Sequence, residues 1–179
     1  MAAPFYSQQE ADMLIAMPKR VPIKDIGSDT EPPKSTRTNA GLRRRMFSVD
    51  PEDGNDKHRF QIELCRDRHA FAIILHAKTP PKPWQAIFRC DVQDHGHYNP
   101  ERYGGAYIQP GQLHYHRYNE QCERDYGLWS KVADLIDHGG TRQLSEGQEI
   151  QRLTGEFYRM TNIRFTESAG VEDLFGQGL

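Results

Sequence analysis

Between residues 5 and 17 the apolar residues follow helical spacing: Met13, Leu14 and Met17, with Ala11 and Ala16, fall on one stripe. Ser7 and Glu10 have the spacing of a capping box, in which each side chain satisfies the other residue's free N–H. Pro18 stops the helix. Residues 19–26 alternate weakly, and Pro22 limits them to an edge strand because proline cannot donate to a ladder. The pattern then lapses over 27–41, where Ala40 is the sole apolar side chain, which predicts a flexible Pro-rich, basic arm.

Alternation with period two returns at 44–49, 59–66 and 70–77 and predicts three strands. Phe60, Ile62 and Leu64 share one face of the second, and the continuous run Phe71–Leu75 marks the third as central. A fourth strand is predicted over 84–92, with Ala86, Phe88 and Cys90 on one side and Ile87, Arg89 and Asp91 on the other. A polar loop over 93–111 leads to a fifth strand over 112–118. Helices are predicted over 126–137, ended by Gly139 and Gly140, and over 147–161, where Ile150, Leu153, Phe157 and Met160 recur. A short strand is expected over 162–165, then a Gly-rich acidic tail over 166–179. Strands in succession followed by helices predict an α+β fold in a single domain: an antiparallel sheet of about five strands, an N-terminal helix and two C-terminal helices.

Composition narrows the class. The chain of 179 residues is only 36% hydrophobic with 27% charged residues, and its mean hydropathy is −0.81. No apolar run approaches the roughly 18 residues that span a bilayer, and the N-terminus lacks the basic and apolar regions of a secretory signal. Cys65, Cys90 and Cys122 are too few and scattered for a disulfide framework or a Cys-type zinc site, so a reducing cytoplasm is expected. Cys65 and Cys90 read as buried, Cys122 as more exposed. The net charge of −2 does not argue for nucleic acid, but Lys34, Arg37, Arg43, Arg44 and Arg45 form a local basic run without an acid. The aromatics Trp84, Tyr98, Tyr103 and Tyr107 sit where they could stack on bases or anchor loops.

Of eight histidines, four fall between His95 and His116. In a strand, His114, His116 and Tyr118 project together, and pairing with the 84–92 strand would bring His95 and His97 to them. Three readings follow. Imidazoles in this density can hold a divalent metal at His95, His97, His114 and His116. The run His114-x-His116-x-x-x-Glu120 has the form of the metal-binding strand motif of cupins over seven residues, without the second His motif and further strands that cupins carry. Alternatively, no cofactor is needed: His97, His114 and His116 act as the acid and base of a metal-independent ribonuclease, with Tyr118 as positioner. Arg43, Arg44, Arg45, Arg89 and Arg117 would then contact phosphate. The third reading is a hydrogen-bonded polar sheet face with no chemistry, in which His97 and Asn99 cap the turn before Pro100.

The motifs also resemble an uncharacterised family of small bacterial and phage-borne proteins. The matching residues are Gln9-Glu10-Ala11-Asp12-x-Leu14-Ile15 with Lys19, Arg44-x-Met46-Phe47, Phe60-x-Ile62-x-Leu64, Ile87-Phe88-Arg89-Cys90-Asp91, His97-Tyr98-Asn99-Pro100 and Leu113-His114-Tyr115-His116-Arg117-Tyr118. The resemblance spans most of 8–165, and the chain departs from it in the 27–41 insert, His95 and the 102–111 loop. It implies a compact α+β unit and, by its association with mobile elements and defence loci, a toxin–antitoxin, immunity or phage-defence role. The expectation is therefore a cytoplasmic conflict-system protein acting on RNA or a ribonucleoprotein. The alternative is a non-enzymatic inhibitor or immunity module with a protein partner. No membrane association is expected.

Overall fold

The computed structural model describes residues 5–21, 43–66, 70–93, 95–136 and 146–165. The arm at 27–41, the Gly139-Gly140 signal and the 166–179 tail lie outside these residues. The first helix forms as α1 (Gln8–Ala16). Its capping box is complete: the Ser7 hydroxyl accepts from the Glu10 N–H at 3.2 Å and Glu10 accepts from the Ser7 N–H at 2.8 Å. Strands β1 (Lys19–Val21), β2 (Arg43–Pro51), β3 (Arg59–Arg66), β4 (Ala70–Lys78) and β5 (Gln85–Gln93) follow. A two-residue pair, β6 (His97–Tyr98) and β7 (Tyr107–Ile108), flanks a 3₁₀ turn at Glu101–Tyr103. Then come β8 (His114–Arg117), α2 (Glu120–Tyr126), β9 (Asp134–Leu135), α3 (Glu146–Thr161) and β10 (Ile163–Phe165).

The fold is α+β with a mostly antiparallel sheet, but among the described residues the sheet has eight strands rather than about five, in the order β10-β1-β2-β3-β4-β5-β8-β9. β1 is not an edge strand: it pairs antiparallel with β2 and parallel with β10. It can do so because its ladder ends at Val21, so Pro22 need not donate within it.

Of the helix expected over 126–137, the described residues to Ile136 form none beyond Tyr126. Asn119 caps the chain seven residues earlier, its side chain accepting from the Cys122 N–H at 2.8 Å, and Gly127 ends that helix in the left-handed region at φ 65°. The apolar residues beyond it, Trp129, Ala133 and Ile136, are buried from an irregular segment that adds β9 to the sheet. Burial therefore produced the apolar spacing there without a helix. The thiols are also reordered: Cys122 is buried, whereas Cys65 is half-buried.

Register separates the two faces of the sheet. Residues directly opposite across antiparallel strands share a face. Phe47, Ile62, Leu75 and Phe88 line one face and pack with Leu14 and Ile15 of α1 and Leu153 and Phe157 of α3. The other face carries polar residues in two cross-strand rows. One runs Arg44, Cys65, Ala72, Asp91, His114; the other runs Met46, Glu63, Ile74, Arg89, His116.

Lys19 closes both helices where they meet the sheet. Its buried Nζ donates to the carbonyls of Ile15 (2.9 Å), Met17 (2.7 Å) and Thr161 (2.9 Å), using all three N–H donors on orphan helix-end acceptors. Burial pulls this ammonium down to about 7. Among the described residues, no helix is long and apolar enough to cross a membrane.

Candidate metal centre

The polar rows converge where β5 pairs with β8. Asp91 lies opposite His114 and Arg89 opposite His116. Residues 95–136 cover this end of the face, so Asp91, His114 and His116 are buried at 0%, 1% and 5% exposure. Two connections fix the cover. Asn99 clamps Ala133, donating to its carbonyl at 2.7 Å and accepting from its N–H at 2.9 Å. β6 and β7 deliver His97 over the two strand histidines. Gly96 is required there, because a Cβ would stand 2.2 Å from the Tyr107 hydroxyl and 2.6 Å from the Ile108 carbonyl.

The three rings form a tight group. Centroids are 5.1 Å apart for His97 and His114, 5.7 Å for His97 and His116, and 5.3 Å for His114 and His116. One nitrogen from each lies within 4.8 Å of the other two. Backbone carbonyls fix two of the rings: His114 Nδ1 sits 2.8 Å from the Gln112 oxygen and His116 Nδ1 3.0 Å from the Val132 oxygen. A carbonyl only accepts, so each Nδ1 carries a proton and donates it. In a neutral ring, Nε2 is then a bare lone pair.

Both Nε2 atoms face the same acceptor. His114 Nε2 is 2.9 Å and His116 Nε2 3.5 Å from Asp91 Oδ1. The closer approach lies off hydrogen-bond geometry: Asp91 Oδ1, His114 Nε2 and His97 Nε2 are all buried without a hydrogen-bond partner. The other carboxylate oxygen, Oδ2, is occupied by the Arg89 guanidinium and by Gln93 Nε2 at 2.5 Å. Burial by itself raises the Asp91 carboxyl, but positive charge on the His114 and His116 side, as protons on Nε2 or an ion in their place, together with the Arg89 guanidinium outweighs it and holds Asp91 well below the usual carboxylate range. Asp91 is thus an anion.

Lone pairs that converge on an anion repel unless positive charge stands between them. Protons on both Nε2 atoms would supply that charge as two separate imidazolium ions packed against each other in a buried space. A single divalent ion meets the same need with neutral rings. The tautomer lock by main-chain carbonyls is also what holds metal-ligating imidazoles in position. Burial, then the neighbouring His114 and His116, pushes His97 below its ordinary range, toward the neutral form a ligand requires. His97 is half-buried, so it forms the exposed side of the centre.

The other expected site residues lie elsewhere. His95 is exposed and outside the ring group. Tyr118 does not share the face of His114 and His116, because β8 ends at Arg117; its hydroxyl donates to the Tyr6 carbonyl at 2.9 Å and its ring stacks near Trp129 in the core. Arg117 pairs with Asp12 at 3.0 Å. Glu120 opens α2, accepts from the Gln8 N–H and pairs with Arg124, so the last position of the cupin-like run points away from the rings. In β2, Arg44 is on the histidine face and ion-paired to Glu63 at 3.4 Å, while Arg43 and Arg45 stand at alternate register positions. Asn99 is a buried clamp rather than a turn cap.

Asp91 and the Gln112 and Val132 carbonyls were not singled out from sequence. Asp91 had a signal, since it alternates with Cys90 beside Arg89; the register that sets it against His114 did not. No protein-family model, curated protein or solved structure matches the chain.

Proposed function

We propose that this protein is a metalloenzyme whose ion, of the Zn²⁺ class, is held by the imidazoles of His97, His114 and His116. Asp91 backs the centre as a counter-charge that Arg89 and Gln93 hold in place. The reading rests on one observation: two strand histidines spend Nδ1 on main-chain carbonyls and turn Nε2 toward one buried carboxylate oxygen, where the His114 Nε2 and the oxygen itself have no hydrogen-bond partner. Three nitrogen ligands leave a position for water or substrate, and an ion so held acts as a Lewis acid or lowers the pKa of bound water. Metal-independent acid–base catalysis by the same rings is the weaker reading, because His114 and His116 are almost wholly covered and cannot reach a bulky substrate themselves.

The family resemblance extends the proposal to a conflict-system role, with RNA or a ribonucleoprotein as target. An interaction module is the second reading, favoured by the exposed Tyr98 and Tyr107 rings, 4.5 Å apart on the cover of the site. Turnover of a target at substoichiometric protein supports the enzyme; a stoichiometric complex without turnover supports the module. Cobalt substitution tests the centre itself. Untagged protein with one equivalent of Co²⁺ should develop the intense visible bands of a low-coordinate imidazole site, lost in His116→Ala. A weak spectrum like that of hydrated Co²⁺ would remove the proposal.

A further inference from the structure

At the end of the sheet remote from the metal centre, β1, β2, β3 and the turn between β2 and β3 enclose a cleft of about 470 Å³ whose lining includes Arg20, Asp50, Asp56, Arg59 and Trp84. Its volume falls in the roughly 300–1,000 Å³ range of small-molecule sites. Alternation places it on the histidine face. Ser48 stands opposite Gln61, and Gln61 opposite His76, in the cross-strand row next to that of Glu63 and His116. Asp50 and Arg59 follow two residues beyond Ser48 and Gln61, and Arg20 lies opposite Asp50. From β3 to β8 is three steps across the sheet, about 15 Å at the usual strand spacing.

The wall of the cleft is preformed. The Asn55 N–H donates to Asp53 Oδ1 at 2.9 Å and the Lys57 N–H to Asn55 Oδ1 at 3.1 Å, which fixes the turn. His58 Nδ1 lies 2.9 Å from the Thr79 hydroxyl and ties the turn to the chain leaving β4. The lining groups are accessible: Arg20 and Arg59 are exposed and Trp84 is 38% exposed. Among the described residues, neither guanidinium has an ion-pair or hydrogen-bond partner.

The lining groups suit different parts of one ligand. An accessible indole is a platform on which a planar base stacks. A free guanidinium fork matches the oxygens of a phosphate. Asp50 and Asp56 only accept, so they take the amino group of a base or the hydroxyls of a ribose. They also balance the two arginines, which sets the cleft apart from a general polyanion patch. From this arrangement we infer that the cleft is a nucleotide subsite, in which Trp84 stacks on the base while Arg20 and Arg59 hold the phosphate. The inference rests on the proposed action on RNA for its direction, since a strand seated here can run along the same face to the ion. The subsite itself rests on the cleft.

The test is fluorescence anisotropy of a labelled single-stranded oligoribonucleotide titrated with the full chain, metal-free, so that the readout does not depend on the ion. Wild type should bind. Trp84→Ala should weaken binding about 5–100-fold, the loss of one base stack. Arg59→Ala should weaken it and reduce the slope of log affinity against log salt by about 0.7, the loss of one phosphate contact. Arg124→Ala, in α2 and outside the cleft, should leave both unchanged. Equal binding by wild type and Trp84→Ala, or no binding by either, overturns the subsite even if zinc is retained. Trp84-dependent binding by a protein that holds no zinc upholds the subsite and removes the metal from its account. Thermal melts separate lost affinity from lost fold, and the salt slope of Arg59→Ala decides the matter if Trp84→Ala does not fold. Competition by adenosine monophosphate then identifies the source: affinity that rises with strand length points to RNA, and a monophosphate that binds as tightly as the strand points to a free nucleotide.

Discussion

Two buried carboxylates stand on the same face of the sheet, each with histidine and arginine neighbours, and they behave differently. Glu63 accepts from His76 Nε2 at 2.8 Å and from the Cys65 thiol at 3.1 Å, with Arg44 at 3.4 Å. Both of its oxygens have donors. Asp91 is faced by two imidazoles instead of one, but its Oδ1 has no donor. The difference lies one atom further out. At His114 and His116 a main-chain carbonyl has taken the proton on Nδ1, so the nitrogen facing the carboxylate has none to give in the neutral ring. A carboxylate and a histidine at close range thus make a closed ion pair or an open ligand set, and the backbone behind the ring decides which.

The largest way to break the contrast is to remove a carboxylate. Asp91→Ala should cost the metal-free protein about 3 kcal/mol in chemical denaturation, because it leaves the partly exposed Arg89 guanidinium and the Gln93 amide without their acceptor. Adding metal sharpens the contrast next. Zinc at about a hundredfold excess over its Kd should stabilise by about 2.7 kcal/mol, a rise in melting temperature of roughly 5–10 °C that a chelator reverses and Glu63→Gln retains.

Gly96→Ala targets the cover without touching a ligand. Its Cβ collides with Tyr107 and the Ile108 carbonyl, which displaces the adjacent His97. Zinc affinity should fall about 10–100-fold, as for loss of a supporting contact.

Glu63→Gln should cost only about 1 kcal/mol at neutral pH, since His76 and Arg44 are partly exposed. Burial raises the Glu63 carboxyl, but the His76 and Cys65 hydrogen bonds and the His76 and Arg44 charges lower it below its ordinary 4.5. A depressed folded-state pKa gives stability that is present above the unfolded value and lost as pH falls through the folded one. The gap between wild type and Glu63→Gln should therefore close below pH 4.5 in acid melts. The smallest effect is expected at Tyr98, 72% exposed, where alanine should change stability by less than about 0.5 kcal/mol and leave zinc stoichiometry intact.

The sheet was legible wherever local pattern controls structure. Alternation placed β3 at 59–66, and the Ser7–Glu10 spacing placed the α1 cap. Of the short strands, β1 and β10 fall within the stretches expected at 19–26 and 162–165, but their pairing with each other was not legible, and β9, two residues long, exists through its partner β8. The helix expected over 126–137 failed because Trp129, Ala133 and Ile136 are spaced by tertiary burial, not by a helix face. At the site, the His114-x-His116 alternation correctly placed two rings together, and His97 joined them as the expected strand pairing requires. Tyr118 did not join them, since Asn119 turns the chain into α2 one residue later. Asp91 waited on register, and the Gln112 and Val132 carbonyls have no side-chain signature at all.

The most direct measurement is the zinc retained per chain by untagged protein after gel filtration, for wild type, His114→Ala and His76→Ala. The predicted result is one equivalent for wild type and for His76→Ala and none for His114→Ala. Less than a tenth of an equivalent in wild type, or equal retention by all three proteins, would contradict a metal centre at His97, His114 and His116.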